Sequence, residues 1–187
     1  MIITISGFPG SGKSTVSKIL EKKVNLKRYY MGGLRREAAK QKGMTLEAFN
    51  ELGETDPSTD KFVDDMLVNL GKTEDDFIAE GRTAFHFIPN SIKFFLYVEL
   101  KEGARRTFEE KKHSKERNEE QTNNVEEEME LQKERIENDR RRYKKYYGID
   151  CYDKKNYDFV IDTTELTPEQ TVEKMIKIIK EKNNRII

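Results

Sequence analysis

A glycine-rich segment near the N-terminus has the residue types and the spacing that bind a chain of phosphates. Gly7 to Ser14 reads GFPGSGKS and fits the pattern G-x-x-x-x-G-K-[ST]. In such a loop, backbone N–H groups surround the phosphates, Lys13 reaches the β- and γ-phosphate oxygens, and the Ser14 hydroxyl is a ligand of Mg²⁺. The residues predicted to bind the nucleotide are Gly7, Phe8, Pro9, Gly10, Ser11, Gly12, Lys13, Ser14 and Thr15.

Two basic sites lie where a second anion could bind. Arg35 and Arg36 open a predicted helix after Gly32-Gly33, and Arg82 follows Glu80-Gly81 at the end of a predicted strand. Since ligands bind at the carboxyl ends of the strands in a doubly wound sheet, we expect Glu80 and Arg82 in the site. A carboxylate there commonly holds the water shell of Mg²⁺, although Glu80 could instead pair with Arg82 or Lys13.

The arginines of a charged helix that starts at about Val125 fall into two groups by their position around the helix. On a helical wheel, Arg135, Asp139 and Arg142 fall together beside the apolar stripe, whereas Arg140 and Arg141 do not. A carboxylate between two guanidiniums could be a solvated row of ion pairs, or it could orient arginines toward a phosphate. The apolar stripe of this helix consists of Val125, Met129, Ile136, Tyr143 and Tyr147.

The elements that must position these side chains alternate between strands and helices. This alternation predicts a parallel sheet that is covered by helices on both faces. The predicted strands are Ile2–Ile5, Lys27–Met31, Asp76–Ala79, Phe94–Val98 and Tyr157–Ile161. The other predicted helices are Thr15–Val24, Leu34–Lys42, Thr45–Leu52, one that starts at Asp56-Pro57, and a last one that opens with the capping box Thr167–Gln170.

The segment Lys111–Asn124 has no hydrophobic pattern. It could be a disordered loop, a linker or a mobile lid over a nucleotide, and the sequence favours mobility without separating the three. Lys115 and Arg117 are its possible phosphate contacts. His113 lies in this segment and is expected to be solvated, and His86 is expected to pack rather than to act as a base.

Composition limits the class of protein. Lys+Arg and Asp+Glu are both 35, so the net charge does not indicate binding to nucleic acid or to a membrane. A length of 187 residues fits one domain, or one core with an inserted lid. The single cysteine, Cys151, excludes an intramolecular disulfide. Without a signal peptide or a membrane-length apolar run, we expect a cytoplasmic protein, and we expect it to be a monomer.

Four segments of the chain together resemble the cytidylate kinases, most closely the short archaeal-type members. The resemblance extends from the first strand to Thr163 and so covers nearly the whole chain. The segments are Gly7–Ser14, Gly32–Glu37, Glu80–Arg82 and the run Arg135-x-x-x-Asp139-x-x-Arg142-Tyr143-x-x-Tyr146-Tyr147-Gly148-Ile149-Asp150.

This resemblance implies an α/β fold of the P-loop NTPase type, with a five-stranded parallel sheet, a helical region that binds a nucleoside monophosphate, and a lid. It implies phosphoryl transfer from ATP, bound with Mg²⁺, to CMP or dCMP. The implied division of the single domain 1–187 is a core of about 1–31, 72–110 and 148–187, an acceptor-binding region of about 32–71, and a lid with its following helix at about 111–147.

The resemblance also implies roles for individual residues. Lys13, Arg82 and Arg135 are the implied catalytic residues, with Arg135 clamping the phosphates in transfer. Mg²⁺ would be held by Ser14 and, through water, by Glu80. The residues implied to bind the acceptor are Gly32, Arg36, Gly81, Arg82, Asp139 and Arg142.

Three positions depart from the family pattern near the acceptor. Met31 stands where many relatives have Ser or Thr, Gly33 where short relatives often have Asp, and Arg35 where an aromatic or aliphatic residue is frequent. A lost hydroxyl near the base removes a hydrogen bond, and such groups discriminate strongly between substrates.

Other functions remain open at the level of sequence. The acceptor could be AMP, UMP or a non-nucleotide alcohol, although an alcohol needs a carboxylate base and Glu80 is the only obvious candidate. The chain could also be a P-loop switch or assembly factor, but such a switch needs a single arginine finger rather than a set of arginines. Nucleic-acid binding is disfavoured because acidic residues interleave the basic ones.

Overall fold

The computed structural model describes residues 1–113 and 119–183, which form a parallel five-stranded sheet between helices. Its elements in chain order are β1 (Ile2–Gly7), α1 (Lys13–Val24), β2 (Lys27–Tyr30), α2 (Met31–Gln41), α3 (Leu46–Leu52), α4 (Ser58–Thr73), β3 (Phe77–Glu80), α5 (Ala84–Phe87), β4 (Ile92–Tyr97), α6 (Leu100–His113), α7 (Val125–Tyr147), a 3₁₀ turn (Lys154–Asn156), β5 (Phe159–Asp162) and α8 (Pro168–Asn183).

The strand order is β2-β3-β1-β4-β5, and each neighbouring pair is parallel. Ile5 of β1 pairs with Glu80 of β3, which in turn pairs with Tyr30 of β2. The carboxyl ends of these three strands therefore meet at one edge of the sheet. The phosphate-binding loop leaves β1 at this edge, and the Arg82 segment follows β3 there.

Alternate strand residues pack against the two helical layers. On one face, Ile5 and Leu96 join Val16 of α1 and Met175 of α8 in a single apolar cluster. On the other face, Phe77 of β3 packs with helical residues such as Leu67 of α4, and Phe95 of β4 packs with Ile136 of α7. Such double-sided burial explains why the strands read as continuous apolar runs. The predicted fold class is confirmed.

The predicted strands are all present, with bounds shifted by one or two residues at most ends. Helix α2 begins at Met31 rather than at Leu34, because it follows β2 without an intervening turn. Helix α4 begins at Ser58, and the carboxylate of Asp56 accepts a hydrogen bond from the Ser58 N–H at 2.9 Å.

Capping side chains occur where the sequence predicts them in α3 and α8, but not in α4, whose N-cap is Pro57 rather than Asp56 and has no side-chain cap. The Thr45 hydroxyl accepts from the N–H of Ala48 at the start of α3. At the start of α8, the Thr167 hydroxyl accepts from the Gln170 N–H, and the Gln170 side chain accepts from the Thr167 N–H. These reciprocal bonds are those of a capping box.

The polar segment Lys111–Asn124 is only partly a loop. Lys111 to His113 continue α6, and Lys111 is buried against Glu128 of α7 at 2.8 Å. The expectation of a loop from Lys111 onward is therefore wrong for its first residues, because a buried ion pair stabilises what no apolar pattern indicates. Lys115 and Arg117 lie outside the described residues. Across the described part of the chain, no helix is both long enough and apolar enough to span a bilayer.

Candidate active site

The phosphate-binding loop needs its glycines for conformation and for close approach. Gly10 and Gly12 have φ angles of 71° and 79°, which place them in the left-handed region. A Cβ on Gly10 would lie 2.1 Å from the carbonyl oxygen of Gly103 in α6. Gly12 is the N-cap of α1, so the backbone N–H groups of the loop and the positive end of the helix dipole face the same space.

Lys13 lies in this loop with several other cations around it. Its Nζ donates to the carbonyl oxygen of Phe8 at 2.6 Å and contacts the Ser11 hydroxyl at 3.4 Å. Burial lowers the pKa of Lys13 well below its usual value, and the charges of Arg82 and Arg135 lower it further. The site is therefore rich in positive charge and suited to polyanions.

Glu80 is the buried carboxylate at the end of β3. Its Oε1 accepts from the Ser14 hydroxyl at 2.7 Å, and its Oε2 accepts from the Ser17 hydroxyl at 2.7 Å and from Arg28 Nη1 at 2.8 Å. The ion-pair partner of Glu80 is thus Arg28 of β2, not Arg82 or Lys13 as considered from the sequence. Strand pairing explains the difference, since Arg28 and Glu80 lie on neighbouring parallel strands.

These oxygens fit a hydrated Mg²⁺ ion that arrives with phosphates. Ser14 and Glu80 offer a hydroxyl and a carboxylate side by side, which are oxygen ligands of the kind that Mg²⁺ prefers. In the described part of the chain, no group of three or more His, Cys, Asp or Glu side chains is arranged to hold a metal ion. The remaining ligands would then come from water and from the bound nucleotide.

One cavity of about 460 Å³ joins the loop to the helices between β2 and β3. It brings together nearly all of the residues predicted from the sequence. Those that line it are Pro9, Gly10, Ser11, Gly12, Lys13, Ser14, Thr15, Gly32, Arg36, Glu80, Gly81, Arg82, Arg135, Asp139 and Arg142. Gly7 and Phe8 do not line it, because Gly7 ends β1 and the Phe8 ring stacks on Tyr152 at 5.0 Å.

Asp139 is the centre of an ion-pair cluster in this cavity. It accepts hydrogen bonds from Arg82 Nε, from Arg142 Nη2 at 2.8 Å and from the Tyr152 hydroxyl at 2.7 Å. Burial alone would raise the pKa of Asp139, but the charges of Arg82 and Arg142 outweigh it and lower the pKa. The carboxylate therefore stays ionised and fixed in one orientation.

Arg142 is almost fully buried, and protein groups surround its guanidinium. Nη1 donates to Asn50 O at 3.2 Å and to the side-chain oxygen of Asn138, while Nη2 donates to Asp139 and to the Tyr143 hydroxyl at 3.0 Å. Nε lies 2.9 Å from Asp60 Oδ2, close enough for an ion pair. Arg142 thus links α7 to α3 and α4, and its predicted contact with the acceptor stays a prediction.

Arg36 and Arg135 both contact the carboxylate of Glu119, which belongs to the polar segment Lys111–Asn124. Glu119 Oε1 accepts from Arg36 Nη2 at 2.9 Å and from Arg135 Nη1 at 3.4 Å. The Asp139–Arg135 pair that helical spacing suggested is replaced by this contact. The wheel prediction is nonetheless confirmed, since 21% of the Arg135 side chain is exposed against 40% for Arg140 and 59% for Arg141.

Several polar residues in or beside the cavity escaped the sequence-based prediction. Arg28 pairs with Glu80 and Glu119 pairs with Arg36, in each case across more than 50 residues of sequence, and no local pattern marks such pairs. The buried pair Arg35–Asp60, at 2.6 Å, joins residues 25 positions apart. The sequence indicated Arg35 as part of a basic site and as a departure from the family pattern, but it did not indicate Asp60 as its partner.

Comparison with known proteins assigns the chain to a family. Residues 2–165 match the cytidylate kinase-like family. The chain belongs to this family. It is 35% identical over 176 residues to the cytidylate kinase of Methanosarcina acetivorans, which covers 92% of this chain and 93% of that protein. It is 32% identical over 187 residues to the cytidylate kinase of Archaeoglobus fulgidus, which covers 100% of this chain and 98% of that protein.

Solved structures show the same fold at lower sequence identity. An uncharacterised protein from Eubacterium ventriosum superposes with a TM-score of 0.70 at 20% identity, covering 96% of this chain and 98% of that one. A shikimate kinase from Bacteroides thetaiotaomicron superposes with a TM-score of 0.64 at 17% identity, again covering 96% and 98%. At these identities the likeness concerns the fold alone.

Proposed function

We propose that this protein is a cytidylate kinase, which transfers the γ-phosphoryl group of ATP to CMP or dCMP. The observation that carries the proposal is the set of cations in one cavity: Lys13 shares it with Arg36, Arg82 and Arg135, which come from three other parts of the chain. A single triphosphate needs fewer cations, whereas two phosphorylated substrates brought together need several. The archaeal relatives named cytidylate kinase support the choice of acceptor.

The donor half of the site is the phosphate-binding loop. Backbone N–H groups between Gly10 and Gly12 and the start of α1 bind the phosphates of ATP, and Lys13 neutralises the β- and γ-oxygens. Ser14 and Glu80 are placed to hold Mg²⁺, Glu80 through water. When bound, the ion neutralises charge that develops on the phosphates during transfer.

The acceptor half requires no general base. The attacking oxygen belongs to a phosphate that is already an anion at neutral pH, so catalysis consists of positioning and charge neutralisation. Arg36 and Arg82 hold this phosphate, and Arg135 stabilises the group in transfer. Three donors fix the Asp139 carboxylate in one orientation, and in this proposal it binds the sugar of the acceptor.

Glu119 occupies the place where an anion is needed. Its carboxylate lies between Arg36 and Arg135, so the incoming phosphate replaces a carboxylate that the two arginines already bind. The arginines are therefore held near their working positions before substrate arrives.

An alcohol acceptor is disfavoured by the contacts of Glu80. An alcohol needs a carboxylate to remove its proton, and Glu80 is engaged by Ser14, Ser17 and Arg28. The structural likeness to shikimate kinases therefore does not extend to their substrate.

A coupled assay of ADP release tests the proposal. Purified protein with ATP and Mg²⁺ is given CMP, dCMP, UMP, AMP or GMP, and Lys13→Met serves as the inactive control. We expect stimulation by CMP or dCMP well above that by the other monophosphates. ATP turnover that no monophosphate stimulates would refute the kinase assignment and favour a P-loop switch.

A further inference from the structure

Two buried arginines, Arg35 and Arg142, lie at the acceptor end of the cavity. They differ in how many of their N–H donors have a hydrogen-bond partner. A guanidinium has five N–H donors. The Nη1 and Nη2 donors of Arg142 all bond to protein oxygens, and its Nε lies 2.9 Å from Asp60 Oδ2 in an ion pair, although Nε has no hydrogen-bond partner among the described residues. Arg35 uses only three: Nε donates to Asn50 Oδ1 at 2.8 Å, and Nη1 donates to Thr59 O at 2.9 Å and to Asp60 Oδ1 at 2.6 Å.

The remaining nitrogen of Arg35, Nη2, is buried without a hydrogen-bond partner in the described part of the chain. Leaving buried donors unpaired costs free energy, so such a group in a native site calls for an explanation. Arg35 lines the cavity together with Asn50 and Asp60. A ligand group that accepts hydrogen bonds would satisfy the two N–H donors of Nη2.

The Arg35 guanidinium is held rigidly. Its partners lie in α3 and α4 while Arg35 itself belongs to α2, so three elements fix its position. The Phe49 ring lies against it, with the ring centroid 4.9 Å from Cζ. A donor that is fixed in this way discriminates between ligands better than a flexible one, because it does not reorient to suit a poor match.

Electrostatics place Arg35 away from the phosphates. The charges of Arg36, Arg82 and Arg135 act on Lys13, which marks the phosphate end. Arg35 interacts instead with Arg142 and Asp60, and its own pKa is lowered first by burial and then by Arg142. Since the Asp60 carboxylate balances its charge, Nη2 suits an uncharged acceptor group rather than a second phosphate.

We propose that Arg35 reads the base of the acceptor by donating from Nη2 to N3 of cytosine. This inference rests on the proposed function and adds a specificity-determining residue to it. A guanidinium donates and never accepts, so it matches a base position that accepts a hydrogen bond. Cytosine has an acceptor at N3, whereas uracil carries an N–H donor there that would oppose Nη2. Arg35 therefore selects cytosine over uracil.

The first arm of the test compares substrates on the wild-type enzyme. CMP is compared with 3-deaza-CMP, in which a C–H replaces N3, and with UMP, using kcat/KM from the ADP-release assay. We expect kcat/KM for both analogues to fall by about 10- to 100-fold relative to CMP. Equal kcat/KM for CMP and 3-deaza-CMP would overturn the inference, whatever any variant does.

The second arm uses Arg35→Lys, which keeps a positive charge beside Asp60 but lacks Nη2. We expect the ratio of kcat/KM between CMP and 3-deaza-CMP to approach one. A purely structural role would lower both values together and leave the ratio as in wild type, which would contradict the inference. Arg141→Lys, at an exposed arginine of α7, is the matched control and should keep the wild-type ratio.

The outcomes separate the inference from the function on which it rests. If no monophosphate is phosphorylated, the proposed function fails. If CMP is phosphorylated without any dependence on N3, the function stands and the role of Arg35 fails. Should Arg35→Lys be too unstable for kinetics, the wild-type comparison still decides, and Arg35→Met with CMP binding measured by calorimetry supplies the variant.

Discussion

Asp64 provides a direct test of how burial acts on a charge in this cavity. It lies on α4, lines the cavity and is 8% exposed. Burial raises its pKa from 3.8 to about 6, opposed by a hydrogen bond from the Tyr147 hydroxyl and reinforced by the nearby charge of Asp60. The folded protein therefore binds a proton at Asp64 more tightly than the unfolded chain does.

The sign of the pH effect follows from this shift. Because the folded-state pKa is raised, the contribution of Asp64 to stability is fully present below pH 3.8 and is lost as the pH rises through about 6. A shift of about two units corresponds to about 3 kcal/mol in total, of which roughly 2 kcal/mol is present at pH 4.5 and almost none at pH 7.5. Asp64→Asn removes this proton-linked contribution while preserving an oxygen that can accept from Tyr147.

Urea denaturation at several pH values between 4.5 and 7.5 measures the effect. We expect the free energy of unfolding of wild type relative to Asp64→Asn to be about 2 kcal/mol more favourable at pH 4.5 than at pH 7.5. Asp65→Asn is the matched control, because Asp65 is the next residue of the same helix and its side chain is 63% exposed. A difference between wild type and Asp64→Asn that does not vary with pH would refute the reasoning.

Three further predictions concern residues whose contacts differ in kind. Arg135→Ala should lower kcat by about 100-fold with little change in Tm, whereas Arg141→Ala should change neither, as steady-state kinetics and thermal denaturation would show. Lys111→Met should destabilise the fold by about 3–5 kcal/mol in urea, because it leaves Glu128 charged and buried, and adding Glu128→Leu should restore much of the loss. Glu80→Gln should raise the Mg²⁺ concentration needed for half-maximal rate by about 10-fold or more, with the KM for CMP unchanged; an unchanged Mg²⁺ requirement would exclude Glu80 from the metal site.

The sequence was informative wherever the structure depends on residues that are close together in the chain. The sheet was predictable because short apolar runs such as Phe94–Val98 alternate with helical segments, and parallel strands of this kind are buried on both faces. The position of Arg135 relative to Arg140 and Arg141 was predictable because a helical wheel depends on spacing alone. The phosphate-binding loop was predictable because its geometry requires glycine at fixed positions.

Contacts between distant segments were not predictable in the same way. Neighbouring strands bring Arg28 next to Glu80, 52 residues away, a partner that the sequence did not indicate when Arg82 and Lys13 were considered as alternatives. The polar segment from Lys111 was expected to be mobile from its start, yet Lys111 is buried in an ion pair with Glu128. In both cases a buried charge is stabilised by an oppositely charged residue from another element, and such a contact leaves no periodic pattern in the sequence.

The distribution of charge along the cavity connects these contacts to the proposed function. At the loop end, burial and then the charges of the neighbouring arginines lower the pKa of Lys13, and bound phosphates would relieve the repulsion among these cations. At the other end, Arg35 and Arg142 are balanced by Asp60 and Asp139 before any ligand arrives. An anion therefore gains little by moving toward that end, while an uncharged base is not excluded from it. In the proposed function, the two ends would orient a nucleoside monophosphate with its phosphate toward Lys13, without any contact with the base. Recognition of the base would then depend on donors left unpaired at that end, such as Arg35 Nη2.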